Sequence, residues 1–403
     1  MPVRLSDSRS EARFRADLAS WLEENQPAGE RASDPARSSG HIPEWAAQWQ
    51  RSLFDAGWLV PRWPAELGGR EASAIEQLIY LEEMSQRRLP RSTNPQGLDV
   101  CAATLVDHGV GFQLEVWVPA TLRGQMSWCL AVDDVEAPDG SADVEGAPDG
   151  PPHGITVSER DGVLVLTGSL PAPPGAADAD RCLCGARVTE PGGRLEGVAV
   201  VAVDLAAPGV ARPEPVDTPG RAVEREGTLS FADVVLAEVD VVGGRDEGWP
   251  VLQSVRARMR SMRWITSLLA TRRALESLAD AGRSRGLADD GVFRDTLAGL
   301  HVEAESVRAL AYRALAKQAT DRPNPELAML PLVTAEVEER VYLAGVEALG
   351  ADGLDKGIDG PAGWPSGSWA EEWSAVMSDR TASGRLGDER DRVAGRVLGL
   401  RLR

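Results

Sequence analysis

The sequence predicts an α+β protein of three parts, because its residue pattern changes twice along 403 residues. From about residue 6 to residue 118, apolar residues recur at helical spacing. From about residue 124 to residue 242, short β-rich runs alternate with Gly, Pro and Asp. Beyond Asp246 the helical spacing returns. We therefore expect an N-terminal α-helical domain at 1–120, a central β-barrel domain at 121–244 and a C-terminal four-helix bundle at 245–403.

The N-terminal part contains at least four predicted helices. The first places Leu18 and Leu22 on one face, and the second follows Pro43, a residue that is favoured at helix starts. That second helix is expected to end near Gly57. Two more are predicted over the segments SAIEQLIYLEEMSQR and LDVCAATLVDHG.

The central and C-terminal parts differ in their predicted secondary structure. Strands are predicted over MSWCLAV, GITVSE, GVLVLTGSL, RCLCGARV, GVAVVAVDL and GTLSFADVVL. Between the first two lies an acidic, low-complexity insert in which APDG begins at Ala137 and again at Ala147, and we expect this insert to be a mobile loop. Three long helical patterns and a segment from about Ser368 form the predicted bundle, and Pro331 is a candidate interruption of its third helix.

The composition excludes several classes of function. The net charge of −19 and the pI near 4.8 disfavour nucleic acid, because a polyanion requires a basic surface. The mean hydropathy is −0.23, and no apolar run approaches the ~20 residues that cross a bilayer. The first residues lack the apolar segment of a signal peptide, so we expect a cytoplasmic protein without a membrane partner.

The four cysteines do not predict a metal site. None belongs to a CxxC pair, and Cys182 and Cys184 would share one face of a strand. With only four histidines in the chain, a set of ligands is improbable, so we predict no metal. We expect the thiols to be buried in a reducing compartment.

Four stretches, in order along the chain, resemble the acyl-CoA dehydrogenase family: LFDAGWLVPRWPAELGGREASAIEQLIYLEEM, GQMSWCLAV, LSFADVVLAEVDVVGGRDEGWPVL and RVLGL. The resemblance implies a helical domain, a β-barrel and a helical bundle. It also implies FAD-dependent α,β-desaturation of an acyl-CoA thioester. The family forms homotetramers or heterotetramers of two dimers. We therefore expect an acyl thioester ligand and a homo- or hetero-oligomer with a chain of the same family.

The residues that align with the family's catalytic base are not carboxylates. Counted back from RVLGL, Ser383 takes the place of the base glutamate. Some members carry the base directly before an arginine that aligns with Arg260, and Met259 occupies that place here. A hydroxyl or a thioether is too weak a base for a thioester α-proton. Asp379 is a weak candidate, more often a solvated charge, and the resemblance places Arg260, Ser383 and Met259 in the substrate pocket.

The family's flavin positions are mostly substituted as well. Trp128 begins the strand that enters the flavin site, Ala172 replaces a stacking tryptophan, and Pro174 replaces a residue that bonds the flavin N5 edge. Of the contacts that cross the dimer, Arg285 is kept, whereas Glu347 replaces a glutamine and adds negative charge. FAD is thus implied by the resemblance, but we predict that this chain alone binds it weakly or not at all.

A basic cluster opens the first bundle helix, at Arg256, Arg258, Arg260 and Arg263. It could neutralise the phosphates of CoA. We favour the interpretation that it forms a solvated or salt-bridged face.

Three functions remain open at this point, and whether the chain is itself an enzyme is one of the open questions. In the first, the chain is a non-catalytic or degenerate subunit of a heteromeric flavin-dependent acyl-CoA α,β-desaturase. In the second, it is a repurposed, flavin-independent enzyme that cyclises or dehydrates a CoA-bound or carrier-bound acyl or polyketide-type intermediate. In the third, it is an ordinary FAD-dependent acyl-CoA dehydrogenase. The first is our working hypothesis, and flavin colour in the purified protein would favour the third.

Overall fold

The computed structural model describes residues 7–27, 38–132, 154–189, 195–213, 227–244, 247–318, 324–354, 368–381 and 385–400. Two helical regions flank a central mixed sheet, so the predicted order of helices, strands and helices is confirmed. The acidic insert with the repeated APDG lies outside the described residues.

In the described residues of the N-terminal region, five α-helices are present: α1 Arg9–Asn25, α2 Glu44–Asp55, α3 Ala74–Gln86, α4 Ala103–His108 and α5 Val118–Leu122. The starts of α1 and α3 are fixed by capping boxes, in which Ser8 pairs with Glu11 and Ser73 pairs with Glu76. A π-helical turn over Gly97–Ala102 leads into α4, and a second over Gln113–Trp117 leads into α5. The second turn and α5 were not predicted from the sequence.

Seven strands pair into one mixed sheet: β1 Trp128–Ala131, β2 Thr156–Arg160, β3 Val163–Pro171, β4 Arg181–Thr189, β5 Leu195–Asp204, β6 Val210–Ala211 and β7 Thr228–Leu236. The central strand is β4, with β5 antiparallel on one edge. On its other edge β1 and β2 follow one another, both parallel to it. The sheet continues through β3 and β7 to β6. All six predicted strands are present, and only the two-residue β6 was missed.

One apolar core joins the N-terminal helices to the sheet and to the start of the next helix. It contains Leu18 and Leu22 of α1, Leu183 of β4, Val200 of β5 and Val251 beyond the sheet, and each of these side chains is fully buried. The three parts of the chain therefore share apolar surface. Of the predicted site residues, Trp128 belongs to this core and Met259 packs against it.

The C-terminal region consists of α6 Gly248–Ser284, α7 Gly291–Gln318, α8 Glu326–Leu349, α9 Trp369–Thr381 and α10 Arg385–Arg396. Although α6 has 37 residues, none of the described helices is both long and apolar enough to span a membrane.

Helix α8 lies at the centre of the bundle, in contact with α6, α7, α9 and α10. It also runs without interruption through Pro331, contrary to the candidate break. The proline lies in the second turn, where it removes one backbone donor, and the helix continues because that loss is small beside the burial of Leu330, Val337 and Val341. The many apolar residues of α8 are thus explained by neighbours in the same chain.

Candidate functional site

Trp128 is a core residue in the structure. Its side chain is fully buried, its indole N–H donates to Thr121 Oγ1 at 2.8 Å, and its ring meets Trp117 edge to face with 6.1 Å between centroids. Its backbone N–H donates to Asn94 Oδ1 at 2.9 Å, and its carbonyl accepts from Asn94 Nδ2 at 2.8 Å. Since its donors are all used inside the protein, Trp128 offers no hydrogen bond to a cofactor.

Ala172 and Pro174 begin the turn between β3 and β4, which we call the 172–180 turn. Ala172 is 3% exposed, and its backbone N–H donates to the Gly227 carbonyl at 3.0 Å. Pro174 is exposed and has no N–H. The position that aligns with the stacking tryptophan therefore has neither a ring nor an open face.

The 172–180 turn is closed by the segment 38–40, which packs against it from the N-terminal region. The Ser38 hydroxyl donates to Asp178 Oδ2 at 2.8 Å. A Cβ atom added to Gly40 would lie 2.1 Å from the Gly175 carbonyl oxygen, so the two backbones touch directly. Only glycine fits at this approach.

Met259 and Arg260 lie in the fourth turn of α6. Met259 is partly buried and packs against the core that the three parts of the chain share. Arg260 is half-buried and has a partner within the structure. A thioether in an apolar contact is not a proton acceptor, so the described part of the predicted pocket contains no base at this position.

The arginines that open α6 are already engaged. Arg258 forms an ion pair with Asp107 at the end of α4. Arg256 donates to the Val132 carbonyl at 3.4 Å, and its guanidinium lies 5.8 Å from the ring centroid of Trp249. These contacts agree with a salt-bridged face in preference to a site for the phosphates of CoA.

Two of the predicted base residues are not described. Ser383 falls between α9 and α10, outside the described residues. Asp379 belongs to α9, but its side chain is likewise outside the description. Their assignments therefore stay predictions.

Arg285 and Glu347 lie at one end of the bundle. Arg285 follows the last turn of α6, and its Nε lies 3.3 Å from Asp352 Oδ2 beyond the end of α8. Glu347 is exposed in the last turn of α8. The fold thus brings together the two segments that the family resemblance assigned to one contact region. A phosphate there would meet the carboxylates of Asp352 and Glu347 and an arginine that is already ion-paired.

These residues do not fit a flavin in the mode usual for the family. Ala172 is closed off, Pro174 donates no hydrogen bond, and the donors of Trp128 are used. Arg285 is ion-paired, and Glu347 adds a negative charge. In the described part of the chain, none of the five aligned positions supplies a contact that would hold the isoalloxazine or the pyrophosphate.

The strongest electrostatic feature was not predicted from the sequence. Glu82 of α3 is 1% exposed and receives two hydrogen bonds from Arg308 of α7, at 2.7 and 3.1 Å. Tyr312 donates to the same carboxylate at 3.0 Å, and Arg272 of α6 lies 3.2 Å away. Arg15 of α1 is 3.8 Å from it. We call this set the Glu82 network, and it connects four helices through one buried carboxylate.

The neighbouring Glu83 extends this contact toward α1. It accepts from Arg15 at 2.7 Å and pairs with Arg87 one turn further along α3. Burial, and then the charge of Glu82, raise the pKa of Tyr312 to about 12, so the phenol stays protonated as a donor. Two adjacent glutamates in the otherwise apolar run LIYLEEM were the signal in the sequence, since such charges are buried only when paired.

A cavity of about 720 Å³ lies between α6 and α7, away from the predicted site. Leu275 and Ala279 line it from α6, and Leu297 lines it from α7. The lining also carries three arginines, three acidic side chains and His301, so its charges nearly balance. It has the size of a small-molecule site but no preference for one sign of charge.

The four cysteines are free and buried, as expected. The thiol of Cys184 lies 3.3 Å from the sulfur of Cys182 on the same face of β4. Burial raises the pKa of the Cys101 thiol well above its ordinary value, which makes this thiol unreactive. Among the residues that the structure describes, no group of three or more His, Cys, Asp or Glu side chains could hold a metal ion.

Profiles of known families match both helical regions. The acyl-CoA dehydrogenase N-terminal domain matches residues 8–125, and the C-terminal domain matches residues 246–398. A curated relative, the acyl-CoA dehydrogenase IpdE1 of Mycobacterium tuberculosis, is 25% identical over 398 residues, which cover 96% of this chain and 97% of the relative.

Solved structures agree along the whole length of the chain. The Tcur3481-Tcur3483 steroid ACAD superposes with a TM-score of 0.78 at 21% identity, covering 100% of both chains. The ChsE4-ChsE5 complex from Mycobacterium tuberculosis gives a TM-score of 0.76 at 19% identity, covering 99% of this chain and 100% of that one. At these identities the structures establish the fold. Together with the two profiles and the full-length relative, they show that the chain belongs to the acyl-CoA dehydrogenase family.

Proposed function

We propose that this chain is a non-catalytic subunit of a heteromeric, flavin-dependent acyl-CoA α,β-desaturase. The observation that carries the proposal is the closed 172–180 turn, where the Gly40 and Gly175 backbones touch and Ala172 is buried. A flavin enzyme needs an open face for the ring, and this chain closes it with its own backbone. Met259 packs against the shared core and occupies one of the family's base positions, so this position also lacks a carboxylate.

The names of two similar structures support a partner. The Tcur3481-Tcur3483 steroid ACAD and the ChsE4-ChsE5 complex each join two different proteins. We extend this arrangement to the present chain and propose a sister chain of the same family that supplies the flavin and the base. From the first of these names we also propose an acyl thioester of steroid origin as the substrate class.

We propose that the sister chain binds the bundle at α7. The first half of α7 is largely exposed, including Val292 at 78% and Val302 at 64%. The 720 Å³ cavity opens beside it, between α6 and α7. Exposed apolar side chains along a helix next to a groove are typical of a surface that another chain covers. The apolar face of α8, by contrast, is covered by helices of the same chain and does not support assembly.

The experiment compares three samples. The first is this chain alone, the second is another chain of the same family from the same organism alone, and the third is the two chains co-expressed. We expect flavin absorbance and acceptor-coupled desaturation in the mixture. We expect neither in this chain alone, with steroid side-chain or straight-chain acyl-CoAs. Val302→Asp in this chain should separate the two proteins in size-exclusion chromatography, because it places a charge in the proposed contact.

A single substitution at Ser383 should change nothing. If the base were the only loss, Ser383→Glu would restore desaturation by this chain. Because the described flavin positions are also lost, we expect no turnover from Ser383→Glu with added FAD. Ser383→Gln serves as the matched control without a base.

Other outcomes would favour the other functions. Near-stoichiometric FAD in the chain alone, or turnover by the wild type, would contradict the proposal and favour an ordinary dehydrogenase. Turnover by Ser383→Glu alone would show an intact flavin site. Cyclisation or dehydration of an acyl thioester by the colourless chain would identify a repurposed enzyme.

A further inference from the structure

The cavity between α6 and α7 has no role in the proposed desaturation. Its volume is about 720 Å³, which is in the range of cavities that hold small molecules. Neither Val292 nor Val302, the side chains proposed to meet the sister chain, belongs to its lining. Buried Leu275 and half-buried Leu297 give it an apolar floor. We call it the α6–α7 cavity, and its charged side chains indicate the kind of molecule that it would hold.

Two contacts fix the register of the helices that form the cavity. The connection between α6 and α7, residues 285–290, is short, so the two helices are antiparallel neighbours. Far from this connection, Arg272 Nε lies 3.9 Å from Glu305 Oε1. Near the connection, a Cβ atom added to Gly282 would lie 2.4 Å from the ring of Phe293. The two helices therefore meet at both ends of the α6–α7 cavity.

This register places the other charged side chains of the lining in order. Each residue of a helix advances about 1.5 Å along its axis, counted here from the ion pair at the far end. Four residues nearer the connection, Glu276 of α6 lies level with His301 of α7. Eleven residues nearer, Arg283 of α6 lies level with Arg294 of α7. Glu276 and Arg294 are thus separated by about 10 Å along the cavity.

Most charges of the lining are already paired inside the protein. Arg272 is held by two glutamates, and Arg283 forms an ion pair with Asp280. By contrast, neither Glu276 nor Arg294 forms an ion pair or a side-chain hydrogen bond with any residue that the structure describes. Both are exposed at the rim of the cavity. The described lining therefore offers a negative and a positive charge, about 10 Å apart, to a bound molecule.

We infer that the α6–α7 cavity binds a linear zwitterion, which is a molecule with an apolar chain between a carboxylate and a protonated amine. The carboxylate pairs with Arg294, the amine pairs with Glu276, and the chain covers the apolar floor between them. An extended ω-amino acid of about eight carbons spans this distance, at about 1.25 Å per bond. A molecule with only one charged group leaves one of the two side chains without a partner.

The first test measures binding of three probes to the purified full-length chain by isothermal titration calorimetry. The probes are ω-aminooctanoate, octanoate and octylamine. We expect ω-aminooctanoate to bind about three- to tenfold more tightly than either of the others, because each exposed charge pair adds a modest gain. The titrations are run at about pH 8, where free histidine is uncharged, so that the negative charge of Glu276 is not offset by an imidazolium.

The second test asks whether one molecule contacts both charges. Glu276→Lys leaves positive charges at both ends, so this variant should prefer octanedioate to ω-aminooctanoate by about threefold or more. The double variant Glu276→Lys/Arg294→Glu should recover wild-type affinity for ω-aminooctanoate, because the probe can bind with its ends reversed. Asp295→Lys is the matched control, since Asp295 is an exposed acid of α7 outside the lining, and it should keep the wild-type order of affinities. Circular dichroism of each variant checks that it is folded.

Three results would overturn the inference. One is the absence of measurable binding of ω-aminooctanoate at about 10 mM, a concentration at which even a weak site is occupied. Another is equal affinity for the zwitterion and for the two singly charged probes. A third is a double variant that binds ω-aminooctanoate no better than Glu276→Lys does. None of these results bears on the proposed subunit role, which is tested by flavin absorbance and turnover in the mixture of two chains.

Discussion

The 172–180 turn and the Glu82 network both join parts of the chain that are far apart in sequence, but by opposite means. At the turn, two glycine backbones touch, and the Ser38 hydroxyl donates a hydrogen bond to Asp178. At the Glu82 network, one buried carboxylate receives charged and phenolic donors from α6 and α7. The first contact joins the segment 38–40 to the sheet, and the second holds the helices together.

The difference separates a contact made by backbone packing from one made by buried charge. The buried charges lie between α1, α3, α6 and α7, where they fix the packing of the N-terminal region on the bundle. The turn carries small residues, so its contact with the segment 38–40 involves few side chains. The two regions should therefore differ in how they respond to substitution.

The largest effect is expected from Glu82→Ala. Removing the carboxylate leaves Arg308, Arg272 and the Tyr312 hydroxyl without their shared acceptor in a buried position. The free energy of unfolding should fall by about 3–5 kcal/mol, as for other buried pairs that lose one partner. Urea denaturation followed by circular dichroism measures this. Glu305→Ala, at an exposed neighbour of the same arginines, is the control and should cost under about 1 kcal/mol.

Gly40→Ala should destabilise the turn less than Glu82→Ala destabilises the network. The added Cβ would meet the Gly175 carbonyl oxygen at 2.1 Å, so the two segments must separate. We expect a loss of about 1–3 kcal/mol. Gly197→Ala adds a methyl group where no atom lies within 4 Å, and it should change stability by less than about 0.5 kcal/mol. Equal effects of the two alanines would contradict the close approach.

A smaller loss is expected from Arg308→Lys, which keeps the charge but removes one of two hydrogen bonds to Glu82. The cost should be about 1–2 kcal/mol because the pair is buried. Arg340→Lys is a matched control, since Arg340 also makes two contacts with one carboxylate, that of Glu303, at 2.8 and 2.7 Å, but on the surface. There we expect under about 0.5 kcal/mol. A result of similar size at both sites would mean that burial does not strengthen the network.

The smallest effect should appear only at high pH. The pKa of Tyr312 is about 12 in the folded chain against an ordinary value of 10.0, because of burial and then the charge of Glu82. Between these values the unfolded chain loses the proton first, so folding stability falls as the pH rises through this range and is fully present below it. Tyr312→Phe should reduce that decline, measured as the urea midpoint at about pH 9 and about pH 11. An unchanged decline would show that the phenol does not contribute.

Local patterns predicted most of the fold. The helical spacing of apolar residues and the short β-rich runs act over a few residues, and these patterns predicted most of the helices and the six longer strands. The π-helical turn at Gln113–Trp117 was missed because its extra residue breaks the 3.6-residue spacing on which the prediction relies. The predicted interruption at Pro331 was wrong for a related reason, since the effect of the proline depends on the burial of the whole of α8.

The site was less predictable, because its contacts cross long stretches of chain. Ser38 and Asp178 are 140 residues apart, and no local pattern reports that 38–40 would close the turn. The substitutions at Ala172 and Pro174 could be read from the sequence, but the burial of the first could not. Arg285 and Glu347 were paired only by resemblance, and Asp352 as the partner of Arg285 was not foreseen.

The distance in sequence between Glu82 and Arg308 also has a consequence for synthesis. The two residues are separated by 226 positions, so the ribosome adds roughly 10–45 s of further chain before the arginine exists. Until then Glu82 has no partner in α7, and burying its charge would be unfavourable. We therefore expect the N-terminal helices to dock onto the bundle only after α7 has been synthesised.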